Sequence, residues 1–221
     1  MRKAVVVLSG GMDSATALYE ALADGYETYA ISFDYGQRHK KELDFARMLC
    51  EKNEISHKIV DLTSITELIS NSALTGNTPV PEGHYAQENM KATVVPNRNM
   101  IMYSVAIGYA VNLKAEAVFV GVHAGDHPIY PDCRPQFIEG LDNLARIANE
   151  GFCGYGFRIV APFLNISKTD IVKRGSGLGV PYNLTWSCYK GGEKHCGKCG
   201  TCVERKEAFQ LAGVKDPTNY E

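Results

Sequence analysis

The sequence predicts an α/β protein built on a parallel, five-stranded, doubly wound sheet with helices on both faces. Short β-branched apolar runs alternate along the chain with amphipathic segments rich in helix formers. Alternating strands and helices with short connections imply right-handed crossovers, and therefore a parallel sheet. With 221 residues, of which 45% are hydrophobic and 22% charged, the chain suffices for one sizeable domain. In such a sheet, ligands collect at the carboxyl ends of the strands.

The first strand and the first helix flank a glycine loop. Residues 4–8 form an apolar run typical of a strand buried on both faces, and residues 15–22 have the composition of a helix. The N–H groups at the start of that helix, together with its dipole, suit a phosphate group. We therefore predict that the loop at residues 8–14 holds a polyphosphate. A simpler alternative is a Gly-Gly turn whose Asp and Ser cap the helix.

The loop sequence S-G-G-M-D-S at residues 9–14 lacks the lysine of a Walker A motif. It resembles the PP-loop of the ATP pyrophosphatases, which cleave ATP between the α- and β-phosphates and transfer AMP to a substrate oxygen. This resemblance implies that ATP binds with Mg²⁺, that Asp13 has a catalytic role, and that its carboxylate helps to hold the metal. The residues expected to bind ATP are Leu8, Ser9, Gly10, Gly11, Asp13 and Ser14.

The remaining elements follow the same alternation. Further strands are predicted at residues 28–35, 58–62, 117–122 and 158–163, and further helices at residues 39–53, 100–114, 134–149, 168 onward and 204–211. The helix at 100–114 is apolar nearly all round and is expected to be central. Arg98 and Asn99 come just before it, where Asn99 is a candidate N-cap. The helix at 134–149 is expected to turn four side chains inward, namely Phe137, Leu141, Leu144 and Ile147.

A long segment near residues 71–96 interrupts this pattern. A short helix is predicted at residues 65–70, but the following residues contain several prolines and glycines and little periodicity. Loops of this length in a compact domain are uncommon. Two interpretations stay open, a lid or substrate loop and a disordered segment.

The sequence after the predicted fourth strand is rich in polar functional groups. Asp126, Tyr130 and Asp132 fall within residues 123–134, which also contain two histidines and an arginine. This composition favours a polar pocket over a solvated linker, although Asp132 is also a candidate cap for the next helix. Lys168 opens a later helix, where a positive charge is unfavourable. We therefore predict that Lys168 reaches a phosphate.

Four of the seven cysteines crowd together near the C terminus as C-x7-C-x2-C-x2-C. This spacing predicts a tetrahedral metal site, with zinc favoured and an iron–sulfur cluster as the alternative. With four protein ligands the ion has no open position and is expected to be structural; His195 is an alternative ligand. Trp186 either stacks on a base or packs on this knuckle. We predict a nucleotide-binding domain at residues 1–184 and a zinc-binding segment at 185–221, packed together. The expected ligands are Cys188, Cys196, Cys199 and Cys202.

Charge and hydropathy narrow the class of partner. A net charge of −2 provides no broad cationic field for nucleic acid, so small-molecule substrates are expected. No apolar run approaches the length that crosses a bilayer, and residues 1–8 are too short for a secretory leader. Cytoplasmic location and reduced cysteines are therefore expected.

Taken together, these motifs resemble the 7-cyano-7-deazaguanine synthase family of queuosine precursor synthesis. The matching pieces are the PP-loop, Y-G-Q-R-H at 35–39, P-N-R-N at 96–99, Y-P-D-C-R at 130–134, S-K at 167–168 and the run from 185 to 202. The resemblance implies ATP-dependent conversion of 7-carboxy-7-deazaguanine and ammonia to the nitrile, with release of AMP and pyrophosphate, in a homodimer. Arg98 and Lys168 are the expected catalytic cations. The expected substrate-binding residues are Arg38, Asp126, Tyr130 and Asp132, of which either aspartate is a candidate reader of the guanine-like edge.

Two rival functions are compatible with parts of this pattern. A PP-loop enzyme that thiolates or aminates a tRNA base would share the nucleotide loop, but it would require a basic RNA-binding surface. A non-catalytic nucleotide-binding module with a zinc knuckle would share both motifs and would release no AMP.

Overall fold

The computed structural model describes residues 1–69, 72–76, 79–83, 88–154 and 156–221. Within these residues the strands are β1 Lys3–Val7, β2 Glu27–Asp34, β3 Ser56–Asp61, β4 Ala117–Phe119 and β5 Arg158–Val160. The helices are α1 Met12–Ala23, α2 Lys41–Lys52, α3 Arg98–Asn112, α4 Pro135–Ala148, α5 Lys168–Gly177 and α6 Gly200–Ala212. The strands form one parallel sheet in the order β3-β2-β1-β4-β5, which confirms the predicted fold class.

Both faces of the sheet are covered because the central strand β1 is apolar on both sides. Val5 belongs to the core layer that α3 and α4 complete, whereas Val6 belongs to the layer completed by α1, α2, α5 and α6. Both side chains are fully buried. Phe209 of α6 lies in the second layer, packed edge-on against Tyr182 at a ring-centroid distance of 5.1 Å. The helix that carries Cys202 therefore contributes to this second core layer.

β4 and β5 end earlier than predicted. β4 stops at Phe119, before the expected end at residue 122, and β5 stops at Val160, before residue 163. Beyond β4 the chain passes close to α1, since a Cβ added at Gly121 would lie 3.0 Å from the backbone nitrogen of Ser14. This close approach places the residues after β4 beside the loop.

Several helix details differ from the sequence prediction. α3 already includes Arg98 and Asn99, and the residue before it, Asn97, adopts a left-handed conformation with φ of 58°. The interpretation of Asn99 as the N-cap is therefore wrong. On α4, Leu144 and Ile147 are 56% and 63% exposed, so their predicted inward orientation is also wrong.

The segment predicted as a long loop is partly ordered into short turns. A 3₁₀ helix spans Thr63–Ile69, where a short helix is predicted at residues 65–70, and a second spans Glu88–Thr93. Leu74 and Met90 are buried in the core layer that α3 and α4 complete. Residues 70, 71, 77, 78 and 84–87, on which the lid interpretation also rests, lie outside the described residues. Across the described parts of the chain, no helix has the length and apolar character needed to span a membrane.

Candidate active site

The glycine loop lies at the carboxyl end of the central strand and leads directly into α1. Its serines close it internally: Ser14 Oγ accepts the N–H of Ser9 at 3.1 Å and lies 3.0 Å from Ser9 Oγ. Gly11 precedes α1 in an extended conformation, and no side-chain hydrogen bond from the described residues caps that helix. The first N–H groups of α1 are thus left for another acceptor, as expected for an anion site.

Gly10 is the point at which the loop packs against the start of α2. Its φ is +88°, and a Cβ at this position would overlap the backbone carbonyl oxygen of Glu42. Leu8, which precedes the loop, has a fully buried side chain and donates its N–H to Ile31 at 2.9 Å. The loop is therefore held rigidly between β2 and α2.

We expect Gly10→Ala to destabilise the protein and abolish nucleotide binding. The substitution combines left-handed strain of about 1–2 kcal/mol with a collision against backbone that cannot move without displacing α2. Chemical denaturation and ATP titration measure the two effects. Gly25→Ala is the matched control, because Gly25 has a φ of +76° with no atom within 4 Å. Equal losses in both variants would contradict the steric argument.

A buried charge cluster lies beside the loop. The Lys168 ammonium is 3.2 Å from Asp13 Oδ2 and 2.6 Å from Glu204 Oε2, and all three side chains are largely buried. Although burial opposes the charge, these two carboxylates raise the pKa of Lys168 above its ordinary value. The other Asp13 oxygen, Oδ1, is buried with no hydrogen-bond partner among the described residues. It is therefore an available oxygen ligand for a cation.

The cluster and the loop open into one cavity of about 260 Å³. Arg98, the first residue of α3, donates to the hydroxyl of Tyr35 at 3.4 Å, with its guanidinium 5.6 Å from the centre of that ring. Arg38 lines the same cavity, close to the end of β2. The expected catalytic cations therefore share one cavity with the loop.

The residues after β4 divide between the cavity and its supporting wall. Asp126 and Tyr130 line the cavity; Asp126 accepts the N–H of His123 at 3.4 Å, and the Tyr130 hydroxyl lies 2.6 Å from Thr93 Oγ1. The Asp132 carboxylate instead accepts the N–H of Asn99 at 3.3 Å. Asp132 thus caps α3, not the following helix as the alternative interpretation had it. Between the two aspartates, the cavity favours Asp126 for contact with a substrate.

The four C-terminal cysteines converge on one point. Their Sγ atoms all lie within 4.8 Å of one another, and all four side chains are buried. Tetrahedral zinc with bonds of about 2.3 Å separates its sulfur ligands by roughly 3.8 Å, so this set fits such an ion. His195 is not part of the group: burial lowers its pKa to about 4, and its neutral Nε2 accepts the N–H of Ser187 at 3.0 Å. The residues that could hold the ion are Cys188, Cys196, Cys199 and Cys202.

A buried arginine connects the cysteine cluster to the loop. Arg205 on α6 is fully buried and donates to Thr185 Oγ1 at 2.8 Å and to the carbonyl of Tyr182 at 3.0 Å. The N–H of Trp186 in the segment so held donates to the carbonyl of Gly10 at 2.9 Å. The Trp186 ring is 6% exposed and packs with the cysteines, as the knuckle interpretation predicts. The segment that carries the cysteine cluster thus supports the glycine loop through this hydrogen bond.

Sequence reasoning did not identify three side chains in this region. Glu204 and Arg205 lie two and three residues after the last cysteine, and their place on the helix that carries Cys202 was the available signal. Glu42 lies in the first turn of α2 and lines the cavity. An acid in the first turn of a helix is common for electrostatic reasons alone, so Glu42 gave no distinct signal.

The sheet order, the uncapped glycine loop and the cavity at the strand ends define an α/β protein with a PP-loop-type fold. The fold is similar to that of the NMN synthetase from Francisella tularensis, with a TM-score of 0.51 and 18% identity over 97% of this chain and 78% of that chain. The model of the family described as "Queuosine biosynthesis protein QueC" matches residues 3–213, and the chain belongs to this family.

Curated relatives support this assignment over the full length. The chain is 54% identical over 221 residues to a 7-cyano-7-deazaguanine synthase of Pseudoalteromonas atlantica, covering all of both chains. It is 55% identical over 219 residues to one of Hahella chejuensis, covering 99% of this chain and 93% of the relative. The resemblance predicted from the sequence motifs is confirmed.

Proposed function

We propose that this chain converts 7-carboxy-7-deazaguanine and ammonia to 7-cyano-7-deazaguanine, consuming ATP to AMP and pyrophosphate at two steps. The observation that carries the proposal is the shared cavity, in which the glycine loop and the Asp13–Lys168 pair face the tyrosine-lined wall below α3. The names of relatives that are 54% and 55% identical supply the substrate class.

The chemistry requires activation of the same oxygen-bearing carbon twice. A carboxylate resists ammonia because its oxygen is a poor leaving group, whereas the mixed anhydride formed by transfer of AMP is open to attack. The amide that results must be adenylated on oxygen before the nitrile forms. One nucleotide loop beside one substrate pocket serves both steps.

The residues around the loop divide these tasks. The N–H groups that begin α1 hold the pyrophosphate portion of ATP, while Lys168 and Arg98 offset the charge that develops on it. Mg²⁺ fits beside Asp13, whose Oδ1 is buried and unpartnered among the described residues, and when bound it screens the leaving pyrophosphate. On binding ATP, Lys168 exchanges part of its contact with Asp13 for phosphate oxygens.

The opposite wall recognises the deazapurine. Asp126 accepts N–H groups from the guanine-like edge, and the buried Tyr130 holds the ring plane; Arg38 closes the outer side. An analogue without those N–H groups would leave a carboxylate unpaired and bind poorly. Asp132 contributes indirectly, since its bond to Asn99 orients the start of α3 next to Arg98.

The ion that suits the cysteine cluster is zinc. Four buried thiolates leave no coordination position for substrate, so the ion shapes the wall around Trp186 and takes no part in the reaction. A homodimer and a cytoplasmic location, both predicted from the sequence, complete the proposal.

Incubation with ATP, Mg²⁺, ammonium and carboxylate substrate labelled with ¹⁸O at both carboxyl oxygens tests the function. We expect a nitrile without label and two molecules of AMP that each contain one ¹⁸O. Unlabelled AMP, or consumption of ATP without the carboxylate substrate, would contradict the adenylation scheme.

A further inference from the structure

Glu42 lies on the cavity wall next to the nucleotide loop, and the roles assigned above do not use it. Its backbone carbonyl packs against Gly10, so its position relative to the loop is fixed by backbone contact. Its Oε1 accepts one hydrogen bond, at 3.3 Å, from the side-chain amide of Gln37. That amide is itself immobilised, because Gln37 also bonds the carbonyl of Phe33 and the N–H of Tyr35.

The surroundings make this carboxylate unusual. Arg98 and Tyr35 are the titratable groups that act on it most directly, and Asp13, Arg38, His39 and Lys168 line the same cavity. Within the described residues Glu42 forms no ion pair, and the Gln37 amide is its one side-chain hydrogen-bond partner. Burial raises the pKa of Glu42 to about 7, against the opposing effect of Arg98.

The proposed reaction requires a proton acceptor that the residues named so far do not provide. Ammonia is present as ammonium near neutral pH, and ammonium has no lone pair with which to attack. Asp13 faces Lys168, and the cations Arg98 and Lys168 cannot accept a proton. A carboxylate beside the loop, without an ion-pair partner in the part of the chain that the structure describes, suits both the binding of a small cation and removal of its proton.

We propose that Glu42 forms the ammonium site of this enzyme and accepts a proton from the ammonium ion as the nitrogen attacks. This inference rests on the proposed function. The N–H bond electrons become the lone pair that forms the new C–N bond. The C–O bond to AMP then breaks, and AMP leaves with that electron pair. The second proton lost in forming the neutral amide passes to water.

Single-turnover kinetics on the enzyme-bound adenylate test this role. The adenylate is formed first from ATP and the carboxylate substrate without ammonium, and pyrophosphate exchange measures that half-reaction. We expect Glu42→Gln to retain exchange within about twofold but to slow amide formation roughly 10²-fold. Glu51→Gln, on the exposed side of the same helix, is the matched control and should behave as wild type.

Two further readouts separate proton transfer from a merely structural role. At fixed total ammonium, the wild-type rate should level off above about pH 7, whereas the rate of Glu42→Gln should rise about tenfold per pH unit, in parallel with free ammonia. Hydroxylamine, which is neutral near pH 7, should trap the adenylate equally fast in both proteins. Hydroxylamine trapping reduced as strongly as ammonium use would overturn the proposal.

The pH dependence of folding stability provides an independent test. A protein is destabilised as pH rises when one of its acids has a higher pKa in the folded than in the unfolded state. For Glu42 this loss falls between pH 4.5 and about pH 7. Glu42→Gln should therefore melt at a higher temperature than wild type at pH 8, with little difference at pH 5. Loss of pyrophosphate exchange together with amide formation, or a full ammonium-dependent rate in Glu42→Gln, would overturn the inference. Failure of exchange in the wild type would instead overturn the proposed function.

Discussion

Replacing Lys168 with methionine is expected to reduce adenylation roughly 10²- to 10³-fold, because the ammonium then no longer offsets charge on the departing pyrophosphate. The same change leaves Asp13 and Glu204 as buried carboxylates without their shared cation, at a cost of about 3–5 kcal/mol in unfolding free energy. Pyrophosphate exchange and denaturant unfolding measure the two losses separately.

A double variant distinguishes catalysis from stability. Adding Glu204→Gln to Lys168→Met removes one of the two unpaired charges and should recover much of the unfolding free energy without restoring exchange. Lys173→Met, at an exposed position of α5, is the control for loss of a lysine from this helix. Recovery of exchange in the double variant would show that Lys168 acts only by stabilising the fold.

Removal of the metal from the cysteine cluster is expected to stop ATP use while the sheet remains folded. Metal binding at such sites contributes about 10–16 kcal/mol to local folding, and here it fixes the segment whose Trp186 N–H holds Gly10. Chelation or Cys202→Ser should shift Trp186 emission to the red and eliminate pyrophosphate exchange in parallel. Because the chain contains one tryptophan, the signal reports on this segment alone.

Cys153→Ser is the matched control, since Cys153 lies outside the cluster. Far-ultraviolet circular dichroism should change little after chelation. Retention of both the blue emission and the exchange activity in metal-free protein would contradict the bracing role. A visible charge-transfer band in the purified protein would contradict zinc and favour an iron–sulfur cluster.

The parallel sheet and the alternation of strands and helices along the chain were predictable, because short β-branched runs alternate with strong helical segments. The glycine loop stood out for the same reason, as two glycines between a buried strand and a helix. Where the prediction failed, the packing between elements decided the outcome. Leu144 and Ile147 satisfy helical periodicity, yet α4 has no layer beyond it among the described residues, and both remain exposed.

The residue types of the polar site were predictable from the sequence, but which side chains contact each other was not. Asp126, Tyr130 and Cys133 of the predicted polar segment line the cavity. Which aspartate faces it depends on the start of α3, where Asn99 donates its N–H to Asp132. Glu204 meets Lys168 across 36 positions of sequence, through contact between α5 and α6. The unfavourable position of Lys168 at a helix start indicates that it has an anionic partner, but periodicity carries no information about which residue provides one.

The most direct measurement is a crystal structure with a non-hydrolysable ATP analogue. It tests whether the backbone amides at the start of α1 bind the terminal phosphates, with the α-phosphate directed towards the substrate carboxylate that is to be activated. We predict β- and γ-phosphate oxygens within hydrogen-bond distance of the backbone at residues 9–14, and the α-phosphate facing Arg98 and the cavity. A triphosphate bound away from this loop would contradict the account.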